Sequence, residues 1–183
     1  MNNLEFYIFE NELWYLSDDG ASKMVTEDSP LVSYLIDIIE SRYPTAYKAL
    51  CKEYARSSLN PSYYRFLIAR RFCKCNFGEL DATKKDINRF GELEFEKVKC
   101  PLRGECKLEG ICCGPTFNSS LSPAENRVGE LVYKGMTTEE ISEALYLSQN
   151  TIKNHYKSIY AKLGIHEKSE FIRYAQKNKM YGD

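Results

Sequence analysis

The stretch Gly135-Met-Thr-Thr-Glu-Glu-Ile-Ser-Glu-Ala-Leu-Tyr-Leu-Ser-Gln-Asn-Thr-Ile-Lys-Asn-His-Tyr-Lys-Ser-Ile-Tyr-Ala-Lys-Leu-Gly164 decides the fold. Thr137-Thr-Glu-Glu140 is a capping box, in which a hydroxyl accepts from the N–H three residues on and the glutamate reaches back. Ile141, Ala144 and Leu145 then form the buried face of a short helix. Leu147 and Ser148 follow at once, so only a tight turn separates this helix from the next. Ser148 caps a helix from Gln149 to about Leu163, with Ile152, Ile159 and Leu163 inward, and Gly164 stops it. Two helices joined by a tight turn, the second longer and basic, are the signature of a helix-turn-helix.

Charge placement supports that reading. Between Ser148 and Gly164 the charged residues are Lys153, Lys157 and Lys162, with no acid among them. Lys153 and Lys157 are one helical turn apart and share a face. Asn154 lies beside them, and its amide can pair bidentately with an adenine edge. Such a face can enter a major groove while Thr151 and the helix N-terminus meet phosphate.

The flanks extend the pattern. Ser122-Pro-Ala-Glu125 is another capping box, with proline at the first helical position, and Val128, Leu131 and Val132 give that helix its apolar stripe. A last helix is expected from about Lys168 to Lys177, with Phe171, Ile172 and Ala175 inward. Taken together, Leu121-Ser-Pro-Ala-Glu-Asn-Arg-Val128 and Gly135 to Gly164 resemble a LuxR-type (GerE-type) DNA-binding domain. The resemblance covers roughly the last third of the chain. It implies a four-helix domain whose third helix reads the major groove, and hence a DNA-binding transcription regulator. It implies that Lys153, Asn154 and Lys157 face bases, that Thr151 and the turn at Ser148 face phosphate, and that the fourth helix is a homodimer surface. Two positions depart from the family. Ala124 stands where a basic residue is usual, and Gly129 where a large aliphatic residue is usual. Gly129 is expected to loosen the first helix, by about 1 kcal/mol against alanine.

The rest of the chain sets the context. Its 183 residues suit one large domain or two small ones, and a hydrophobic fraction of 43% supports a real core. A net charge of −1 does not advertise nucleic-acid binding, so any such binding rests on local charge. The N-terminus lacks a basic region followed by an apolar run, and no stretch approaches the roughly 20 apolar residues of a membrane helix. A cytoplasmic protein with no membrane contact is expected.

Leu4–Phe9 and Leu13–Leu16 read as a β-hairpin around Asn11, with a third strand near Ser22. Pro30, Pro44 and Pro61 each open a helical pattern. Residues 72–115 lose periodicity, gain cysteine and glycine, and keep one alternating segment, Leu93–Val98, that reads as a strand. We therefore expect a mainly α, two-domain chain. An α+β input domain covers 1–115, a linker 116–120, and the four-helix LuxR-type helix-turn-helix 121–183.

Seven cysteines occur, six of them within 72–115. In a reducing compartment clustered thiols are more often metal ligands or reactive groups than disulfides. Zinc takes four soft or imidazole ligands in a tetrahedron. Cys100 and Cys106 are the firmest candidates. Cys113, ahead of Gly114-Pro115, is favoured over Cys112, because adjacent side chains diverge. Cys75 is favoured over Cys73, which can still sit on the preceding helix. The expectation is a zinc site of Cys75, Cys100, Cys106 and Cys113, with an iron–sulfur cluster as the alternative and a redox switch third. Cys51 reads as a small core residue. A nucleophilic cysteine would need a nearby base, and both histidines lie in the helix-turn-helix module, so no enzyme is expected. Arg65, Arg70, Arg71, Lys74, Lys84 and Lys85 read as a solvated basic face. The alternatives to a plain DNA-binding regulator are a metal- or redox-responsive sensor and an adaptor that uses the helix-turn-helix to bind protein. An unknown protein or effector at the N-terminal domain is expected as partner.

Overall fold

The computed structural model describes residues 3–78, 80, 85–89 and 91–181. The chain forms two compact units, residues 1–116 and 117–183.

The first unit is α+β. Strands β1 (Leu4–Phe9), β2 (Glu12–Ser17) and β3 (Ser22–Met24) make an antiparallel sheet in the order β1-β2-β3. Glu10 and Asn11 both take positive φ at the β1–β2 turn, which gives the tight hairpin whose twist matches its strands. Helices α1 (Pro30–Arg42), α2 (Pro44–Glu53) and α3 (Pro61–Asn76) follow, each with proline in its first turn. Ser29 and Asn60 cap α1 and α3 through their side chains, accepting from Leu31 N and Tyr63 N. Phe6, Tyr43, Phe72, Phe77 and Phe95 join sheet, α1–α2 junction and α3 in one aromatic cluster, with ring centroids 5.2–5.8 Å apart. Offset and edge-on pairs at such spacings add to the area they bury.

Two expectations for this unit change. The segment Leu93–Val98 is extended but forms no strand; its ladder is a single bridge, Ile87 to Leu93. Glu94 N donates to Asp86 O and Glu96 N to the Asn76 carbonyl at the end of α3, so the segment has no continuous neighbour to pair with. Its alternation serves packing instead, with Phe95 in the aromatic cluster. The basic residues of α3 also do more than face solvent. Arg70 Nη2 donates to Asn11 O, Lys74 Nζ donates to Asn11 Oδ1 at 2.8 Å, and Arg70 lies 3.5 Å from the Glu12 carboxylate. These two cations hold the hairpin turn against α3. Lys84 lies outside the described residues.

The second unit is four helices: α4 (Pro123–Tyr133), α5 (Thr138–Leu145), α6 (Gln149–Leu163) and α7 (Lys168–Lys177). Val128, Val132, Ile141, Ile152, Ile159, Phe171 and Ala175 are its buried core, contributed by all four. Phe117, expected in a linker, packs its ring edge-on against Tyr174 of α7, with centroids 6.2 Å apart. The chain therefore has the expected class: mainly helical, with a small sheet in the first unit and a helix-turn-helix in the second.

Candidate nucleic-acid interface

The helix-turn-helix is built by caps at every joint. In α4 the Ser122 hydroxyl accepts from Glu125 N while Glu125 Oε2 accepts from Ser122 N at 2.6 Å. In α5 Thr137 and Glu140 repeat the exchange, which lowers the Glu140 carboxyl pKa. Gly135 takes φ of +89° between them, a conformation glycine reaches without steric cost. The turn from α5 to α6 closes on Leu147 N to Ser142 O and on the Ser142 hydroxyl, which donates to Leu147 O at 2.6 Å. Ser148 then caps α6, its hydroxyl accepting from Thr151 N at 3.0 Å.

These caps fix how α6 is rotated. Ile152 and Ile159 are locked into the core. Asn150, Lys153, Asn154, Lys157 and Ala161 are exposed, and at 100° per residue they fall on one strip. Among the described residues neither Lys153 nor Lys157 has a carboxylate partner. Ser148 and Thr151 stand at the start of the same helix with their hydroxyls 2.9 Å apart. Asn150 was not singled out in the sequence, although its place one turn before Asn154 would have placed it on the strip.

Lys162, expected with Lys153 and Lys157 among the DNA-binding residues, is engaged within the domain. Its ammonium donates to Glu125 Oε2 at 2.6 Å, and Ser158 Oγ donates to Oε1 of the same carboxylate at 2.6 Å. Glu125 is 5% exposed. Held first by Lys162, then by Ser158 and the Ser122 N–H, its carboxyl drops to a pKa of about 2. Lys162 thus ties α6 to α4 rather than pointing along the exposed strip.

Gly129 is also not a loose point. It is buried in α4, and a Cβ there would collide with the Tyr181 hydroxyl and lie 3.0 Å from Phe171 Cζ. The Tyr181 hydroxyl donates to Asn126 Oδ1 at 3.2 Å, and burial pushes its pKa up to about 12. The missing side chain makes room for an aromatic cover.

Residues 119–175 match the family described as bacterial regulatory proteins, luxR family. They form a LuxR-type helix-turn-helix domain. The Fimbriae Z protein of Salmonella typhimurium is 40% identical over 67 residues, which are 37% of this chain and 32% of that protein. The oxygen regulatory protein NreC of Staphylococcus aureus is 38% identical over 60 residues, 33% of this chain and 28% of its own length. The matched region spans about a third of each of these relatives. No solved structure matches the chain.

The expected zinc site gains no support from the arrangement of the described residues. Among the described residues, no three Cys, His, Asp or Glu side chains are placed to hold a metal ion. All seven cysteines are free thiols. The iron–sulfur alternative likewise gains no ligand set. What the fold does bring together is sulfur around a guanidinium. Helix α3 runs on through Asn76, so Cys73 and Cys75 are both helical. Cys73 is fully buried in the core of its unit, and its thiol pKa is driven up by that burial. Cys75 faces the turns of 100–114. The Asn76 side chain pins those turns, donating to Cys112 O at 2.8 Å and accepting from Gly114 N at 3.0 Å. Cys112 donates to the Cys75 sulfur, and Arg71 and Cys113 also hydrogen-bond it, which holds the Cys75 thiol pKa below the ordinary range. Arg71 Nη2 also donates to Cys106 Sγ at 3.5 Å. Cys51 is half-buried, and its carbonyl accepts from the Tyr64 hydroxyl at 3.2 Å.

Among the described residues no helix is long and apolar enough to cross a membrane.

Proposed function

We propose that this chain is a transcription regulator whose LuxR-type domain binds double-stranded DNA through α6. Lys153, Asn154 and Lys157 would meet base edges in the major groove. Ser148, Thr151 and the α6 N-terminus would meet the phosphate backbone. The observation that carries this reading is the exposed strip of α6: two lysines without carboxylate partners flank an asparagine, while the opposite side of the helix is locked in the core. An adaptor surface would not need cations held free of partners. The test is titration of labelled duplex DNA with the wild-type chain and with the double variant Lys153→Ala, Lys157→Ala. Loss of binding at physiological salt is expected. Unchanged binding in a folded double variant would remove the proposal.

Residues 1–116 are, in the same reading, the input unit that takes an effector or a partner protein. Dimerisation through α7 belongs to the proposal on the family resemblance alone. It would set two half-sites about one turn of DNA apart, roughly 34 Å. Light scattering with and without an inverted-repeat duplex measures it.

A further inference from the structure

The first unit holds an open cavity of about 780 Å³, within the size range of pockets that take small organic ligands. Two parts of the chain far apart in sequence wall it. One is the end of α2 with the short 3-10 turn Ala55–Ser57 behind it, and the other is the turns of 107–111. Both walls are fixed by hydrogen bonds. Tyr54 N donates to Leu50 O where α2 ends, and Ser57 N donates to Tyr54 O. On the other side Ile111 N and Cys112 N both donate to Leu108 O, and the buried Asn76 side chain donates to Cys112 O at 2.8 Å. Lys107 Nζ lies 2.6 Å from Glu53 Oε2 and ties one wall to the other.

The lining divides by chemistry. Leu108, only 5% exposed, and the half-buried Ile111 supply apolar surface. Lys52, Arg56 and Lys107 bring three positive charges against the single negative charge of Glu53. Glu53 is taken by Lys107, and among the described residues Lys52 and Arg56 have no carboxylate partner. A neutral ligand would leave those two cations unanswered. A bare inorganic anion would leave Leu108 and Ile111 uncovered. We propose that this cavity binds a small organic anion, a carboxylate, sulfonate or phosphate ester on an apolar body. Its charged head meets Lys52 and Arg56, where the guanidinium fork can hold two oxygens at once, and its body covers Leu108 and Ile111. The inference rests on the reading of residues 1–116 as an input unit and gives that unit a site and a ligand class, but its test needs no DNA.

The experiment uses the full chain and the fluorescent probe 8-anilinonaphthalene-1-sulfonate, an aromatic body that carries a sulfonate. Titration is expected to saturate at a single site per chain. Octanoate is expected to displace the probe. At equal concentration 1-octanol, which has the body without the charge, and sodium sulfate, which has the charge without the body, are expected to displace several-fold less. The double variant Lys52→Gln, Arg56→Gln is expected to bind the probe several-fold more weakly. Both side chains are exposed, so its circular dichroism and melting temperature should match the wild type. Glu53→Gln removes the acid and frees Lys107, so probe and octanoate should bind several-fold more tightly, and adding Lys107→Gln should cancel the gain. Wild-type affinity in the folded double variant overturns the proposal, as does displacement by octanol or sulfate equal to that by octanoate. Absence of DNA binding beside intact octanoate binding removes the regulator reading and retains this site; the reverse result removes this site alone.

Discussion

Glu125 shows how much one residue can hold. It closes the α4 capping box, accepts from Ser158, and pairs with Lys162. Its carboxyl falls from an ordinary 4.5 to about 2. A depressed carboxyl contributes stability that is complete above the unfolded pKa and lost as pH falls through the folded one. That contribution should therefore disappear between about pH 4.5 and pH 2. Urea unfolding of wild type and Glu125→Gln across that range is expected to converge at the acid end. At neutral pH the variant should be less stable by about 2 kcal/mol, the scale of hydrogen bonds to a charged group. Gly129 gives a second prediction at this scale. The buried site is filled by Tyr181 and Phe171, so Gly129→Leu is expected to destabilise by about 1–3 kcal/mol despite leucine's better helix propensity, read as a lower melting temperature. Neither pairing was legible in the sequence, because residues 33 and more positions apart meet only after the helices pack.

At the scale of elements, local signals were strong. Two capping boxes, a serine cap and glycines at the stops define α4, α5 and α6, and all of them are present in the structure. The turn between α5 and α6 carries the exception. Tyr146 adopts φ of +54° with its ring 96% exposed. A bulky residue in the left-handed region costs roughly 1–2 kcal/mol, and this ring recovers little by burial. Tyr146→Gly should therefore raise stability by about 1 kcal/mol in denaturant unfolding, with the turn geometry kept. The alternating segment Leu93–Val98 failed for the opposite reason. A period of two says which residues share a face, but a strand exists only when a neighbour pairs with it. Here the neighbours are the Asp86 carbonyl and the end of α3.

At the scale of the molecule, the net charge of −1 gives no general attraction for DNA. In the proposed function DNA binding rests on a few placed cations, so its dependence on salt reports how many of them meet phosphate. Lysines that neutralise phosphate each contribute about one unit to the slope of log affinity against log salt. Lys162→Ala is expected to lower stability and leave that slope unchanged, since its ammonium is engaged by Glu125. A change in slope measured by anisotropy titration over a salt series would show that Lys162 reaches the backbone after all.

The sequence by itself determined the helix-turn-helix: its helices, its caps and the strip that carries Lys153, Asn154 and Lys157. Those features depend on neighbours within a few residues, where periodicity and capping chemistry act. Only the tertiary structure decided which cations are engaged and how deeply each cysteine is buried. Lys162 is taken by Glu125, Arg70 and Lys74 by the hairpin turn, and Arg71 by the sulfurs. Spacing along the chain named the thiols as a group. The packing of α3 against the turns of 100–114 put a guanidinium among them, and that is a contact no local pattern encodes.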